Sequence, residues 1–256
     1  MIQPQIPSGG LVIQGGDRCQ DKILPLYFMI VLDVTGSMDN SIDGVKNNLT
    51  QFAAKLKALK IQGTDKNLPD IKLGVLTFVD SPDQDQTFPL TSDVSSLGAS
   101  IAGIGTRGGI HDRQEGGLGA VLRGFQALAA AGGSQEFIPA VLVISDNYGH
   151  TGEGSDGVRN FSPAALTQLL SGAAFNNFLL FDAVPVERPS GLFEDASKQP
   201  PNVTPAGQWQ EIRGNWKAAH AGLNVDPGMG FGFPFTSDVF LGQLPAQVEK
   251  FLKICK

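Results

Sequence analysis

The sequence has few cysteines, no long apolar run and no cluster of basic residues. Only two cysteines occur among 256 residues, so their placement is more informative than their number. No apolar run approaches the roughly 20 residues of a membrane span. The formal net charge is −6, and without a Lys/Arg cluster this argues against nucleic acid or an anionic membrane as the partner. The acidity is compatible with cation sites instead.

The apolar residues that are present are sufficient for a folded core. They make up 41% of the chain, which excludes general disorder, and we favour a single domain. The 32 glycines and 16 prolines indicate many turns and long loops, which are expected to carry function. The start of the chain lacks the basic and apolar regions of a secretory signal, so we expect a mature or excised piece.

Strand-like apolar segments alternate with amphipathic helical patterns along the chain. Strands are predicted at 26–32, 71–79, 140–144 and 178–184, and helices at 42–59, 118–128, 161–174, 209–221 and 237–252. This alternation predicts an α/β fold with a doubly wound, mostly parallel central sheet and helices on both faces. Residues 1–25 are expected to form a tail or linker, and 26–256 the domain. An irregular insertion is expected at about 186–235, with a short edge strand at 228–234.

A carboxylate and two hydroxyls follow the first predicted strand. Asp33, Thr35 and Ser37 stand on one turn after the apolar run that ends at Leu32. Oxygens placed in this way suit a hard divalent cation. The carboxyl edge of a parallel sheet is also where open α/β folds bind ligands. The alternative is an ordinary helix N-cap after a strand.

This turn resembles the metal-ion-dependent adhesion site of von Willebrand factor A (VWA) domains, whose motif is Asp-x-Ser/Thr-x-Ser. The resemblance implies that Thr35 and Ser37 are direct ligands of Mg²⁺ or Mn²⁺, while Asp33 holds a water. Because few of the ligands are charged, the ion stays electrophilic. An open coordination position can then accept a carboxylate from a partner protein.

Two further segments are similar to one branch of this family, the β-subunit I-like domain of integrins. In 144–150, Ile-Ser-Asp-Asn-Tyr-Gly-His, the resemblance implies that Asp146 approaches the adhesion metal. In 108–120 it implies that Glu115 reaches the same ion. The alternatives are an ordinary turn residue for Asp146 and a helix N-terminus with an acidic first turn for Glu115. His150 is expected to pack or cap its loop, since hard cations prefer oxygen.

A neighbouring Ca²⁺ site is implied by the same resemblance. Residues 73–82 are similar to an integrin segment whose Asp is a Ca²⁺ ligand, and that Asp corresponds to Asp80 here. Asp112, Glu115 and the carbonyl of Gln114 complete the implied ligand set.

The chain departs from the integrin pattern at several positions. Ile110 and Gln114 replace an integrin Asn and Pro, so the Ca²⁺ site is expected to be weaker or absent. The acidic pair of a third, inhibitory metal site is replaced by Asn40 and Ser41, with Asp39 one position early. The third site is therefore in doubt.

The two cysteines lie at the boundaries of the predicted domain. Several extracellular VWA domains close the base of the fold with a disulfide, and the resemblance implies the same for Cys19 and Cys255. Both are also expected at the end of the sheet away from the metal edge. The alternative is two unrelated thiols in a cytosolic protein.

The resemblance implies a metal-dependent adhesion module, not an enzyme. Its partner is a protein ligand that supplies an Asp or Glu, with no nucleic acid and no membrane insertion. We expect an extracellular or cell-surface location, as part of a larger surface protein or pilus. A microbial adhesin is favoured because no cysteine-rich flanking segments are present.

Two other functions stay open. The first is an intracellular VWA protein that acts with an ATPase in complex assembly. The second is a metal-dependent hydrolase. Against the hydrolase, no G-x-S-x-G, P-loop or G-x-G-x-x-G follows a strand, and Thr35 stands where aspartate-nucleophile phosphatases need a second Asp.

Overall fold

The computed structural model describes residues 24–58, 70–79, 84–108, 114–133, 137–149, 164, 166–167, 178–187, 204–219 and 227–233. Within these ranges five strands form one sheet: β1 (Leu26–Asp33), β2 (Ile71–Phe78), β3 (Gln86–Thr91), β5 (Ile138–Ile144) and β7 (Leu179–Ala183). Their order across the sheet is β3-β2-β1-β5-β7. A small second sheet pairs β4 (Gln114–Glu115) with β6 (Tyr148–Gly149) in parallel.

The main sheet is parallel except at one edge. β1 pairs with β2 and β5, and β5 with β7, all in parallel, whereas β3 runs antiparallel to β2. Every residue of β1 is buried, as expected for a central strand covered on both faces. The edge strand β3 contains Pro89, which cannot donate to a ladder and is tolerated at an edge.

Helices cover both faces of the sheet, which confirms the predicted fold class. The helices are α1 (Ile42–Lys57), α2 (Val94–Ala102), α3 (Gly117–Gly132) and α4 (Pro205–Ala219), with a short 3₁₀ helix at Gly36–Asn40. Alternate residues of β1 enter two separate cores. Phe28 and Ile30 pack in the core with α1 and α2, whereas Met29 and Val31 pack in the core with α3 and α4. None of the helices described here is long and apolar enough to span a bilayer.

A segment near the predicted 228–234 strand extends the sheet beside β7, and we call residues 227–231 the edge segment. The N–H of Leu180 donates to the carbonyl of Pro227 at 2.6 Å, and the N–H of Phe231 donates to the carbonyl of Asp182 at 2.8 Å. Gly228 has φ +136°, and a Cβ there would lie 1.9 Å from the carbonyl oxygen of Leu180. Glycine is therefore required for this close approach of two backbones.

A partly buried ion pair attaches α4 to β7. The guanidinium of Arg213 donates to Oδ1 of Asp182, a side chain with no solvent exposure. Burial raises the pKa of Asp182, and the charge of Arg213 partly offsets this. Trp209 and Trp216 of α4 are buried in the core beside α3. Thus α4 and the edge segment, both within the predicted irregular insertion, pack against the sheet.

Candidate metal centre

The candidate centre lies where the order of the strands changes direction. From β1 the chain proceeds to β2 and β3 on one side of the sheet, whereas from β5 it proceeds to β7 on the other. Adjacent parallel strands whose connections diverge leave a crevice outside their carboxyl ends. Asp33 is the last residue of β1, and Ser145 and Asp146 directly follow β5. The topology therefore brings the predicted residues of two loops to one crevice.

Asp33 is fully buried and both of its carboxylate oxygens accept hydrogen bonds. Its Oδ1 accepts from the backbone N–H of Thr35 at 2.9 Å and from the hydroxyl of Thr35 at 2.7 Å. Its Oδ2 accepts from the hydroxyl of Ser145 at 2.6 Å. The bond to the N–H two residues on is an Asx turn, which sets the backbone that presents Thr35.

Two hydroxyls and a carboxylate form a row of oxygens beside Asp33. Thr35 Oγ1 and Ser37 Oγ lie 3.1 Å apart, and Ser37 Oγ donates to Asp146 Oδ1 at 3.0 Å. Each hydroxyl has a single proton, and in this arrangement both protons point to carboxylates. Lone pairs of Thr35 and Ser37 are then available to a cation. The side chain of Thr35 makes no capping hydrogen bond, so the N-cap alternative does not explain it.

The spacing and chemistry of these oxygens fit Mg²⁺. An octahedron with metal–oxygen bonds of about 2.1 Å has edges of about 3 Å, close to the observed separations. All of the donor atoms in the row are oxygens, which a hard cation prefers. Within the described ranges, no three His, Cys, Asp or Glu side chains come together as a metal-binding group. The candidate centre differs from such groups because it combines two carboxylates with hydroxyls.

The electrostatics of the centre favour a bound cation. The pKa of Asp33 is raised to about 7, first by burial and then by the nearby charge of Asp146, against hydrogen bonds from Ser145 and Thr35 that lower it. Burial likewise raises the pKa of Asp146, and the bond from Ser37 opposes the shift. A fully buried carboxylate and a partly buried one that repel each other are stabilised in their charged forms by a cation.

The backbone places Glu115 beside the Asp146 loop. Glu115 pairs with Gly149 in the small sheet, and Gln114 pairs with Tyr148. Helix α3 begins at Gly117, so Glu115 precedes the helix and does not lie in its first turn. The helix N-terminus alternative is therefore wrong for Glu115. Its side chain lies outside the described part of the structure, and its role as a ligand stays a prediction.

The remaining predicted residues lie outside the described ranges. These are Asp80 and Asp112 of the Ca²⁺ site, His150, and the cysteines Cys19 and Cys255. The Ca²⁺ site and the disulfide stay predictions.

Residues 104–108, to which no role was predicted, hold the turn after β1 in place. We call these residues the bracing loop. The N–H of Arg107 donates to the carbonyl of Val34 at 2.6 Å, and its guanidinium donates to the hydroxyl of Thr77 at 2.6 Å. The hydroxyl of Thr106 donates to Asp39 at 2.6 Å. Asp39, which stands one position early for the third metal site, thus accepts a hydrogen bond from this loop.

No family model matches the chain, and no curated protein matches it. The fold is similar to that of a pilus adhesin. This protein is SpaC from Lactobacillus rhamnosus GG in its open conformation, with a TM-score of 0.51 and 13% identity over 91% of this chain and 31% of that one. Proximal thread matrix protein 1 from the mussel byssus gives a TM-score of 0.49 and 13% identity over 90% of this chain and 46% of that one. The chain thus spans about a third of the adhesin's length. At this identity the likeness concerns the fold alone.

Proposed function

We propose that the chain is a VWA-type binding module whose divalent cation takes a carboxylate from a partner protein. The observation that carries the proposal is the row of Thr35, Ser37 and Asp146 oxygens at 3.0 to 3.1 Å spacing, next to the buried Asp33. Thr35, Ser37 and Glu115 would bind Mg²⁺ or Mn²⁺ directly. Asp33 and Asp146 would stand behind these ligands. The ion would supply an electrophilic position for an oxygen ligand.

A carboxylate is the partner chemistry that suits this centre. The proposed direct ligands are the neutral hydroxyls of Thr35 and Ser37 and the single carboxylate of Glu115, so the ion would keep part of its positive charge. Mg²⁺ favours six oxygens, so an Asp or Glu side chain from another protein can replace a water. Because SpaC is a pilus adhesin, we extend the proposal to adhesion within a larger surface protein or pilus, in an extracellular setting.

We propose binding in preference to catalysis because of the state of Asp33. Its side chain has no exposure to solvent, and both oxygens accept hydrogen bonds from Thr35 and Ser145. A nucleophile must reach the reacting atom of its substrate. Asp33 is placed to hold other groups, so an aspartate-nucleophile phosphatase is not supported by this geometry.

Calorimetric titration with Mg²⁺ tests the metal site. We expect a single-site binding isotherm for the wild type and none for Asp33→Ala, because the substitution removes the carboxylate that accepts hydrogen bonds from Thr35 and Ser145. Asp43→Asn is the matched control, since Asp43 is 85% exposed on α1, where it pairs with Lys46. Equal Mg²⁺ affinity in the wild type and Asp33→Ala would refute the assignment.

A random peptide display library tests the carboxylate. Peptides are selected on immobilised protein in Mg²⁺ and eluted with a chelator. We expect each eluted family to contain an Asp or Glu whose change to Asn or Gln abolishes binding. If the protein binds Mg²⁺ but the eluted peptide families contain no acidic residue, the carboxylate part of the proposal is contradicted. The metal site itself would not be affected by that result.

A further inference from the structure

We propose that Ser145 is the positioning residue that joins the two metal-binding loops and sets the affinity of the centre for its cation. The inference rests on the proposed function, since it concerns the same cation. Ser145 is not one of the predicted ligands. It immediately precedes Asp146, at the carboxyl end of β5.

The hydroxyl of Ser145 bonds to both loops at once. It donates its proton to Asp33 Oδ2 at 2.6 Å, a bond across 112 positions of sequence. It also accepts from the backbone N–H of Asn147 at 3.1 Å. The contact between the hydroxyl and the carbonyl of Asn147 is 3.4 Å, much longer than the bond to Asp33. One hydroxyl therefore fixes both the first carboxylate and the loop that presents Asp146.

These bonds close a ring around the row of oxygens. Thr35 donates to Asp33, Thr35 contacts Ser37, Ser37 donates to Asp146, and the chain continues from Asp146 to Ser145. The bond from Ser145 to Asp33 completes the ring. In the ring, Ser145 links Asp33 to the loop that carries Asp146. Its bond is to Oδ2 of Asp33, whereas Thr35 bonds to Oδ1.

The position of Ser145 is itself fixed from a third strand. Its backbone N–H donates to the carbonyl of Ala183 in β7 at 3.2 Å, and the residue is 3% exposed. A buried hydroxyl held in this way has little freedom to turn away from Asp33. It is consequently a rigid reference against which both loops are placed.

Loss of this hydroxyl would remove one hydrogen bond from each of two buried residues. Asp33 Oδ2 would lose its donor, and the N–H of Asn147 would lose its acceptor. Groups behind a metal's ligands typically change metal affinity by about 10- to 100-fold when they are removed. We therefore expect Ser145→Ala to weaken Mn²⁺ binding by about 10- to 100-fold.

The test measures Mn²⁺ affinity by the electron paramagnetic resonance signal of the free ion, with thermal unfolding in a chelator as a second readout. Ser145→Thr keeps the hydroxyl and is expected to stay within about threefold of the wild type. Ser145→Cys keeps the shape with a weak S–H donor and is expected to give an intermediate loss. If Ser145→Ala does not fold, the Mn²⁺ affinity of Ser145→Cys still decides the outcome.

Thr167→Val is the matched control. Thr167 is also buried, its hydroxyl donates to the carbonyl of Ile212 on α4, and neither residue belongs to the ring around the oxygens. We expect the control to lower the unfolding temperature without changing Mn²⁺ affinity. Folded Ser145→Ala and Ser145→Cys proteins that bind Mn²⁺ like the wild type would overturn the positioning role alone. A wild-type protein that binds no Mn²⁺ would instead refute the proposed function.

Discussion

At the scale of single residues, the burial of Asp33 needs an explanation. Withdrawing a carboxylate from water is unfavourable unless hydrogen bonds or a cation compensate for it. Here Thr35 and Ser145 supply three hydrogen bonds, yet the pKa of Asp33 is still raised to about 7. The fold therefore keeps a group that is poorly stabilised in its charged form by the protein alone. A bound cation would supply the remaining stabilisation.

The stability of the protein in a chelator is expected to decrease as pH rises from about 4 to 7. The pKa of Asp33 is about 7 in the folded state against 3.8 ordinarily, so the native state holds a proton that the unfolded state has released. Within this window the free energy of unfolding falls by up to about 1.4 kcal/mol per pH unit. The raised pKa of Asp146 acts in the same direction.

Urea denaturation at several pH values with a chelator present checks this expectation. Asp33→Asn removes the titrating group, so its free energy of unfolding should vary less with pH than that of the wild type. Asp43→Asn, which removes an exposed carboxylate, should keep the wild-type slope. A wild-type stability that rises between pH 4 and pH 7 would contradict the expectation.

Much of the centre could be predicted from residue types, because parallel strands end at the same edge. Asp33, Thr35, Ser37 and Asp146 were predicted from two strand ends and are found together. Ser145 was not assigned a role, since a serine at the end of a strand is common and has no distinctive spacing. Its importance depends on a bond to a residue 112 positions away, which no local pattern encodes.

At the scale of elements, the edge segment depends on two backbones approaching closely. Gly228→Ala is expected to destabilise the protein by more than about 1 kcal/mol, because Gly228 has a positive φ and a Cβ would meet the carbonyl of Leu180. Gly214→Ala is the matched substitution. No atom lies within 4 Å of a Cβ at Gly214, inside α4, so this change should stabilise by about 0.5–1 kcal/mol.

Tryptophan fluorescence during urea unfolding measures both effects. The chain has two tryptophans, Trp209 and Trp216, and both lie on α4 with their side chains buried in the core. The two glycine variants should shift the midpoint in opposite directions. A midpoint for Gly228→Ala equal to or above that of the wild type would show that the edge segment does not pack against β7 as described.

The long apolar strands were predictable, whereas the weak elements at the edge were not. β1 and β5 are unbroken apolar runs, and both were found at the predicted place. β3 has the sequence Gln-Thr-Phe-Pro-Leu-Thr, whose proline and half-exposed pattern resemble a loop. It forms a strand because β2 offers a partner, and α2 then follows from a cap at Asp93. Tertiary pairing, not local propensity, decides such segments.

At the scale of the whole molecule, the two ends of the sheet have different roles. The carboxyl end holds the candidate centre, while at the amino end the N–H of Ile138 donates to the carbonyl of Pro25 at 2.8 Å. A crosslink near the amino end would stabilise the domain without disturbing the centre. The fold class was predictable because strands alternate with helices along the chain, and the observed order places β2 and β3 on one side of β1 and β5 and β7 on the other.

We predict that Cys19 and Cys255 are bonded to each other in protein from its native source. The first strand starts after Cys19, and a last helix antiparallel to the strands would return Cys255 to the same end. Intact-mass analysis after alkylation without reductant should show no modified thiol. Two alkylated cysteines would reject the bond and favour the intracellular alternative.

The most direct test of the metal-binding claim is the anomalous scattering of Mn²⁺ in crystals grown with that ion. We predict one strong anomalous peak at the carboxyl ends of β1 and β5, within about 2–2.5 Å of Thr35 Oγ1 and Ser37 Oγ. Crystals of the Asp33→Ala protein should lack this peak and keep the fold. Wild-type crystals that show no peak beside Thr35 and Ser37 at saturating Mn²⁺ would contradict the account.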